Sequence, residues 1–87
     1  MKVAELEIGS LYQIKDRFDN RFIGLQVVGG RIDLYLTHHA NAQPSPRFFV
    51  YLGRKKNQIG EHQRMVLWDG KILPVWGNSW QHVEKCS

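Results

Sequence analysis

The sequence FIGLQVVGGRIDLYLT spans residues 22–37 and sets a Gly29-Gly30 pair between two segments rich in aliphatic and β-branched residues. A glycine pair suits a two-residue hairpin loop, since both loop positions of the favoured turn need a positive φ. The flanking segments are long enough to pair along their whole length. This stretch therefore predicts a β-hairpin.

The register of this hairpin follows from the loop, because each pair is counted outward from it. One face then carries only aliphatic side chains and is expected to form core. On the other, mixed face Tyr35 is placed to cover Gly24. The expected pairs are Val28 with Arg31, Val27 with Ile32, Gln26 with Asp33, Leu25 with Leu34, Gly24 with Tyr35, Ile23 with Leu36 and Phe22 with Thr37.

A second hairpin is indicated by Asp69-Gly70, because both residue types tolerate the positive φ of a type I′ turn. Both faces of the predicted ribbon are largely apolar. The ribbon is therefore either bent between two layers or has one face in contact with something else. The expected pairs are Trp68 with Lys71, Leu67 with Ile72, Val66 with Leu73, Met65 with Pro74, Arg64 with Val75 and Gln63 with Trp76.

The rest of the chain predicts shorter elements and no amphipathic helix. Pro74 lacks an amide donor and predicts an edge position. Six short strands on turns favour a small closed or half-open barrel. The further elements are strands at 11–15 and 48–54, a turn at 19–20, loops at 38–46 and 54–62, and a helical turn with Trp80 that Asn78-Ser79 caps before Val83 rejoins the sheet.

The composition indicates one globular domain: 87 residues, 43% hydrophobic and 23% charged. The longest apolar run, residues 48–52, is far short of the roughly 20 residues that a membrane-spanning helix needs. Glu5 and Glu7 occupy the place of a signal peptide's apolar segment, so we expect a cytoplasmic protein. The single cysteine, Cys86, excludes an internal disulfide.

The net charge of +4 comes wholly from residues 47–71, which contain six basic side chains and two acidic ones. Basic side chains next to Asn57 and Gln58 on a hairpin loop predict contacts to nucleic-acid phosphates. The alternative is that they only solvate a turn. The candidate phosphate-contacting residues are Arg47, Arg54, Lys55, Lys56, Arg64 and Lys71.

Aromatic residues predict a second kind of surface. Trp76 and Trp80 flank a short polar segment and are expected to form an exposed shelf for a peptide or partner protein. The alternative is a lid that closes the barrel, and interior packing is likewise the alternative for most other aromatics. The candidate partner surface comprises Trp76, Trp80, Trp68 and Tyr35.

Histidine and cysteine spacing gives no metal-ligand pattern, because no short-spaced ligand pair repeats. No nucleophile lies beside a recognisable oxyanion site. We therefore expect no metal, no cofactor and no enzymatic activity. The residues considered are His38, His39, His62, His82 and Cys86.

Four segments together resemble short SH3-like barrel proteins encoded by tailed phages. They are GSLYQIKD at 9–16, IGLQVV at 23–28, VLWDGK at 66–71 and SWQHVEK at 79–85, about half of the chain. The resemblance implies an SH3-like barrel, with residues 31–54 supplying an additional strand pair. It also implies a non-enzymatic phage accessory protein that is made in a bacterial cell and acts by binding.

Two functions follow as expectations. The first is a protein-interaction module, either a virion component or a binder of a host factor, with self-association as one form. The second is a nucleic-acid-binding barrel that uses the basic segment around residues 54–56. An OB-like barrel is the alternative fold, and it would favour the second function because that fold often binds single strands.

Overall fold

A computed structural model describes residues 6–39, 46–76 and 79–86. The strands are β1 (Leu11–Ile14), β2 (Arg17–Phe18), β3 (Arg21–Val28), β4 (Arg31–Thr37), β5 (Phe48–Lys56), β6 (His62–Trp68), β7 (Lys71–Val75) and β8 (Val83–Lys85). Their order in the single sheet is β2-β3-β4-β7-β6-β5-β1-β8, and the sheet curls into a half-barrel. The predicted all-β fold is confirmed.

The β3–β4 hairpin has the predicted register at all of the expected pairs. Gly29 and Gly30 have φ values of 58° and 76°, as a type I′ loop requires. Tyr35 covers Gly24 so closely that a Cβ at residue 24 would lie 2.2 Å from Tyr35 Cζ. The aliphatic face is core except at Val27, which is exposed beside the loop.

The β6–β7 hairpin also has the predicted register over the length of β7, which ends before Trp76. Asp69 and Gly70 have positive φ values of 50° and 72°. Val66 and Trp68 are buried on the inner side of the sheet. The ribbon is therefore not shared between two layers, and its other apolar face points outward.

β7 is an inner strand, with β4 on one side and β6 on the other, but Pro74 itself pairs only with Met65 of β6, so its β4 side is locally the edge that the sequence predicted. The parallel β4–β7 contact has one residue pair, Ile32 with Val75. Beside this pair, the Trp76 amide donates a backbone hydrogen bond to the Ile32 carbonyl, 3.2 Å away. Since this contact begins one residue beyond Pro74, the missing proline amide leaves no ladder bond unmade.

The predicted loop at 54–62 is shorter than expected, and its basic residues do not lie on it. β5 continues to Lys56, so Arg54, Lys55 and Lys56 are strand residues paired with β6. Asn57 makes this tight closure favourable, because its Oδ1 accepts bonds from the amides of Ile59 at 3.0 Å and Glu61 at 2.9 Å. The two strands can therefore remain paired almost to the tip.

The remaining short elements follow the expectations with small shifts. β1 ends at Ile14, one residue earlier than the strand predicted at 11–15. In the predicted turn at 19–20, Asp19 has a φ of 56°. The helical turn with Trp80 is a 3-10 helix, Ser79–His82, and Val83 rejoins the sheet as β8. The predicted cap at Asn78 and residues 40–45 of the predicted 38–46 loop lie outside the described residues.

The first strand segment links the two ends of the sheet. β1 and β2 are separated by Lys15-Asp16 alone, yet β2 is the first strand in the sheet order and β1 is the last but one. The two ends approach each other where the Phe18 ring packs edge-on against His82, with ring centroids 5.4 Å apart. The core between them contains Tyr12, Ile14, Ile23, Leu25, Ile32, Phe49, Tyr51, Val66, Trp68, Val75, Trp80 and Val83.

Candidate functional site

The outer surface of the sheet carries a row of apolar side chains across four neighbouring strands. Cα pairing joins Leu11 of β1 to Val50 of β5, Val50 to Leu67 of β6, and Leu67 to Ile72 of β7. Directly paired residues point to the same side of a sheet, so the row is about 14 Å wide. Leu67 is 41% exposed and Ile72 is 63% exposed.

Phe48 extends this row toward the β6–β7 turn. A groove of about 550 Å³ lies beside it, with Leu11 and Leu67 among the walls and Asp69-Gly70 at the rim. Charged side chains are absent from the row itself and lie at the rim. We call this surface the outer apolar face, which comprises Leu11, Phe48, Val50, Leu67 and Ile72.

The local sequence explains why apolar side chains point outward here. Residues 48–52 are all apolar, so β5 presents apolar groups on both sides of the sheet. Phe49 and Tyr51 are buried in the core, and the alternate residues Phe48 and Val50 point outward. The sequence signal for this face was the double-sided apolar pattern, which did not specify which side would remain uncovered.

The predicted aromatic partner surface does not form as one surface. Trp80 is 4% exposed and packs edge-on against Phe49 at 5.9 Å and Tyr51 at 5.8 Å. The expectation that Trp80 lies at the surface is therefore wrong, because the 3-10 helix turns its ring into the core. The lid alternative describes this tryptophan. Trp76 is 47% exposed, as expected of a surface residue.

Trp68 and Tyr35 do not lie on a common surface either. Trp68 is buried, and its Nε1 donates a hydrogen bond to the Pro46 carbonyl at 2.8 Å. Its predicted place on a partner surface is wrong, because its indole fills the core and its polar atom is satisfied there. Tyr35 is partly exposed but lies on β4 against Gly24, on the other half of the sheet.

The six candidate phosphate-contacting residues are distributed over three places. Arg54 and Arg64 are directly paired across β5 and β6, and Lys56 follows on the same side of that ladder. Lys55 pairs with Gln63 and points to the opposite side of the sheet. Arg47 directly precedes the first residue of β5. Lys71 is the first residue of β7, directly after the turn of the β6–β7 hairpin.

A pocket of about 380 Å³ opens beside the Arg54–Arg64 pair. Its walls combine these arginines with Val75, Trp76 and Trp80. Arg64 Nε is buried and has no hydrogen-bond partner among the described residues. Neither arginine has a carboxylate within ion-pair distance in the described part of the chain. We call this cavity the arginine pocket.

Arg47 holds the seam between the two ends of the sheet. Its Nη2 donates to the carbonyls of Lys15 at 2.6 Å and Ile23 at 3.1 Å. Its Nε lies 3.1 Å from the Asp16 carboxylate. Arg47 therefore joins the start of β5 to the kink between β1 and β2 and to β3, a structural role that its sequence context did not indicate.

His82 is the buried titratable side chain at the same seam. Burial lowers its pKa below the usual 6.5, and the positive charges of Lys15 and Arg21 lower it further. Its Nδ1 has no hydrogen-bond partner among the described residues. Protonation of His82 therefore opposes folding.

The described ranges contain neither a metal-ligand cluster nor a membrane-spanning helix. No group of three histidine, cysteine, aspartate or glutamate residues there could hold a metal ion. No helix there has the length and apolar character to cross a membrane.

Comparison with protein-family models, with curated proteins and with solved structures found no match. The resemblance to phage SH3-like barrel proteins stays a prediction.

Proposed function

We propose that this protein is an interaction module that docks an apolar segment of a partner protein on the outer apolar face. The observation that supports it is the uninterrupted row from Leu11 to Ile72, which leaves large aliphatic groups in water. Large contiguous apolar patches are uncommon on monomeric proteins and mark interaction sites. The module acts by binding.

The sheet edges favour contact through side chains rather than strand addition. The two edge strands, β2 and β8, are two and three residues long. Such short edges offer few free backbone groups to an added strand. A partner therefore gains most by burying its own apolar groups in the groove beside Phe48 and Leu67.

The proposed occupant is a segment of a partner protein, and a second copy of this chain is the alternative that the oligomeric state tests. A groove of about 550 Å³ fits inserted side chains of a bound segment. The more specific roles, a virion component or a binder of a host factor, stay predictions.

The test compares two variants with matched exposure. Leu67 is 41% exposed at the centre of the face, and Val28 is 43% exposed at the β3–β4 loop, away from it. Affinity capture from a lysate of the producing cells is run with the wild-type chain, Leu67→Asp and Val28→Asp. We expect Leu67→Asp to lose a partner that Val28→Asp retains. Loss by both variants, or by neither, would contradict the proposal.

Light scattering after size exclusion separates self-association from this proposal. A wild-type monomer that binds the captured partner is the expected result. A wild-type dimer that Leu67→Asp converts to a monomer would show that a second copy covers the face, and the proposed occupant would be wrong. Circular dichroism on each variant checks that the sheet is intact.

A further inference from the structure

The arginine pocket lies on a different surface from the outer apolar face and carries an inference of its own. Arg54 and Arg64 are Cα partners on neighbouring strands, so their side chains leave the sheet on the same side. Like charges directly opposite each other destabilise a sheet. An anion placed between the two guanidinium groups would remove this cost.

One polar atom of the pocket also lacks an acceptor. Arg64 Nε is a buried donor without a partner among the described residues. A buried donor of this kind costs about 1–3 kcal/mol when it stays unsatisfied. Guanidinium groups present paired N–H donors that match the oxygens of a phosphate. An anion with several acceptor oxygens therefore matches the donors that Arg54 and Arg64 present to the pocket.

Trp76 supplies an apolar surface next to the arginines. The Arg31 guanidinium lies 4.2 Å from the centre of its ring, and Trp76 also lines the pocket. The side chain is nevertheless 47% exposed. Nucleobases stack on such rings without regard to sequence, whereas a duplex keeps its bases inside.

We propose that the arginine pocket binds a phosphate of a single-stranded nucleic acid between Arg54 and Arg64, with the adjoining base against Trp76. The volume of about 380 Å³ suits a single nucleotide unit. Lys56 continues the positive surface along the strand on the same side. Glu61 also lines the pocket and disfavours a second phosphate at that wall.

Fluorescence anisotropy of a labelled oligothymidylate of about ten nucleotides tests this site. Arg54→Gln removes an exposed pocket charge and should weaken binding about tenfold. Lys55→Gln removes the same charge from the adjacent residue, whose side chain points to the opposite side of the sheet, and should change binding less than about twofold. Binding of the wild-type chain should weaken as salt increases.

Competitors distinguish the sources of the anion. Unlabelled single strand should displace the probe, while inorganic phosphate and a duplex of equal length should displace it far less. Equal weakening by Arg54→Gln and Lys55→Gln, no binding at low salt, or stronger competition by an acidic peptide would each overturn the proposal. Leu67→Asp should bind the oligonucleotide as the wild type does, since the two sites lie on different surfaces.

Discussion

At the scale of single residues, the clearest revision concerns Arg47. Its charge suggested a phosphate contact, but its guanidinium donates to two backbone carbonyls that belong to different parts of the sheet. A sequence contains no local signal for such a bond, because Lys15 and Ile23 are 32 and 24 residues away from Arg47. The same type of side chain at Arg54 is exposed and lacks an ionic partner within the described residues.

Arg47→Ala should destabilise the fold by about 2 kcal/mol, because two carbonyls lose a charged donor. The matched change Asp16→Asn should cost far less, since that carboxylate is 81% exposed. Urea unfolding of both variants measures the difference. An equal, small effect of the two variants would show that Arg47 does not hold the seam.

His82 predicts a pH dependence of stability. Burial keeps the folded-state pKa below the usual 6.5, so the unfolded chain takes up a proton at a higher pH than the folded chain. Stability is therefore complete above about pH 6.5 and falls as the pH drops through the lowered value. Urea midpoints between about pH 7.5 and pH 5 measure this loss.

His82→Phe removes the titrating group and should flatten the pH dependence in that range. His62→Gln is the control, because His62 is exposed, and it should keep the wild-type slope. The carboxylate of Glu7 does not add to the pH dependence of stability in that range. The hydrogen bond and charge of Lys85 hold the pKa of Glu7 below 4.5, so its contribution is lost only at lower pH. A slope that survives in His82→Phe would assign it to another group.

At the scale of elements, the two hairpins depend on their loops. Gly70 has φ 72° and open space where a Cβ would be, so its requirement is conformational rather than steric crowding. Gly70→Ala should therefore cost about 1–2 kcal/mol. Asp69→Asn keeps a residue type that tolerates positive φ and should be nearly neutral. Thermal unfolding of both variants tests this, and an unchanged Gly70→Ala would contradict the turn assignment.

These hairpins also show how far sequence reasoning extends. The registers of β3–β4 and β6–β7 could be predicted because a short loop fixes every pair beside it. The pairs of β1 with β5 and β8, and of β4 with β7, join distant segments and have no loop to set them. The uncovered side of β5 and the inward turn of Trp80 depend on those distant pairs, so the sequence left both open.

At the scale of the whole molecule, the sheet separates two kinds of surface. The outer apolar face extends over β1, β5, β6 and β7, whereas the arginine pocket lies where β5 ends and β6 begins. Residues 47–71 contribute side chains to both of these surfaces. The charge excess and the double-sided apolar pattern therefore occur in the same part of the sequence. The linings of the groove and of the arginine pocket share no residue.

Photocrosslinking tests most directly whether a partner binds the outer apolar face. A photoreactive amino acid replaces Ile72 on the outer apolar face in one preparation and Val28, outside it, in another, and both are irradiated in a lysate of the producing cells. The proposed function predicts a discrete crosslinked partner from position 72 that disappears when Leu67→Asp is added, and no such product from position 28. No product from position 72, or the same products from both positions, would contradict it.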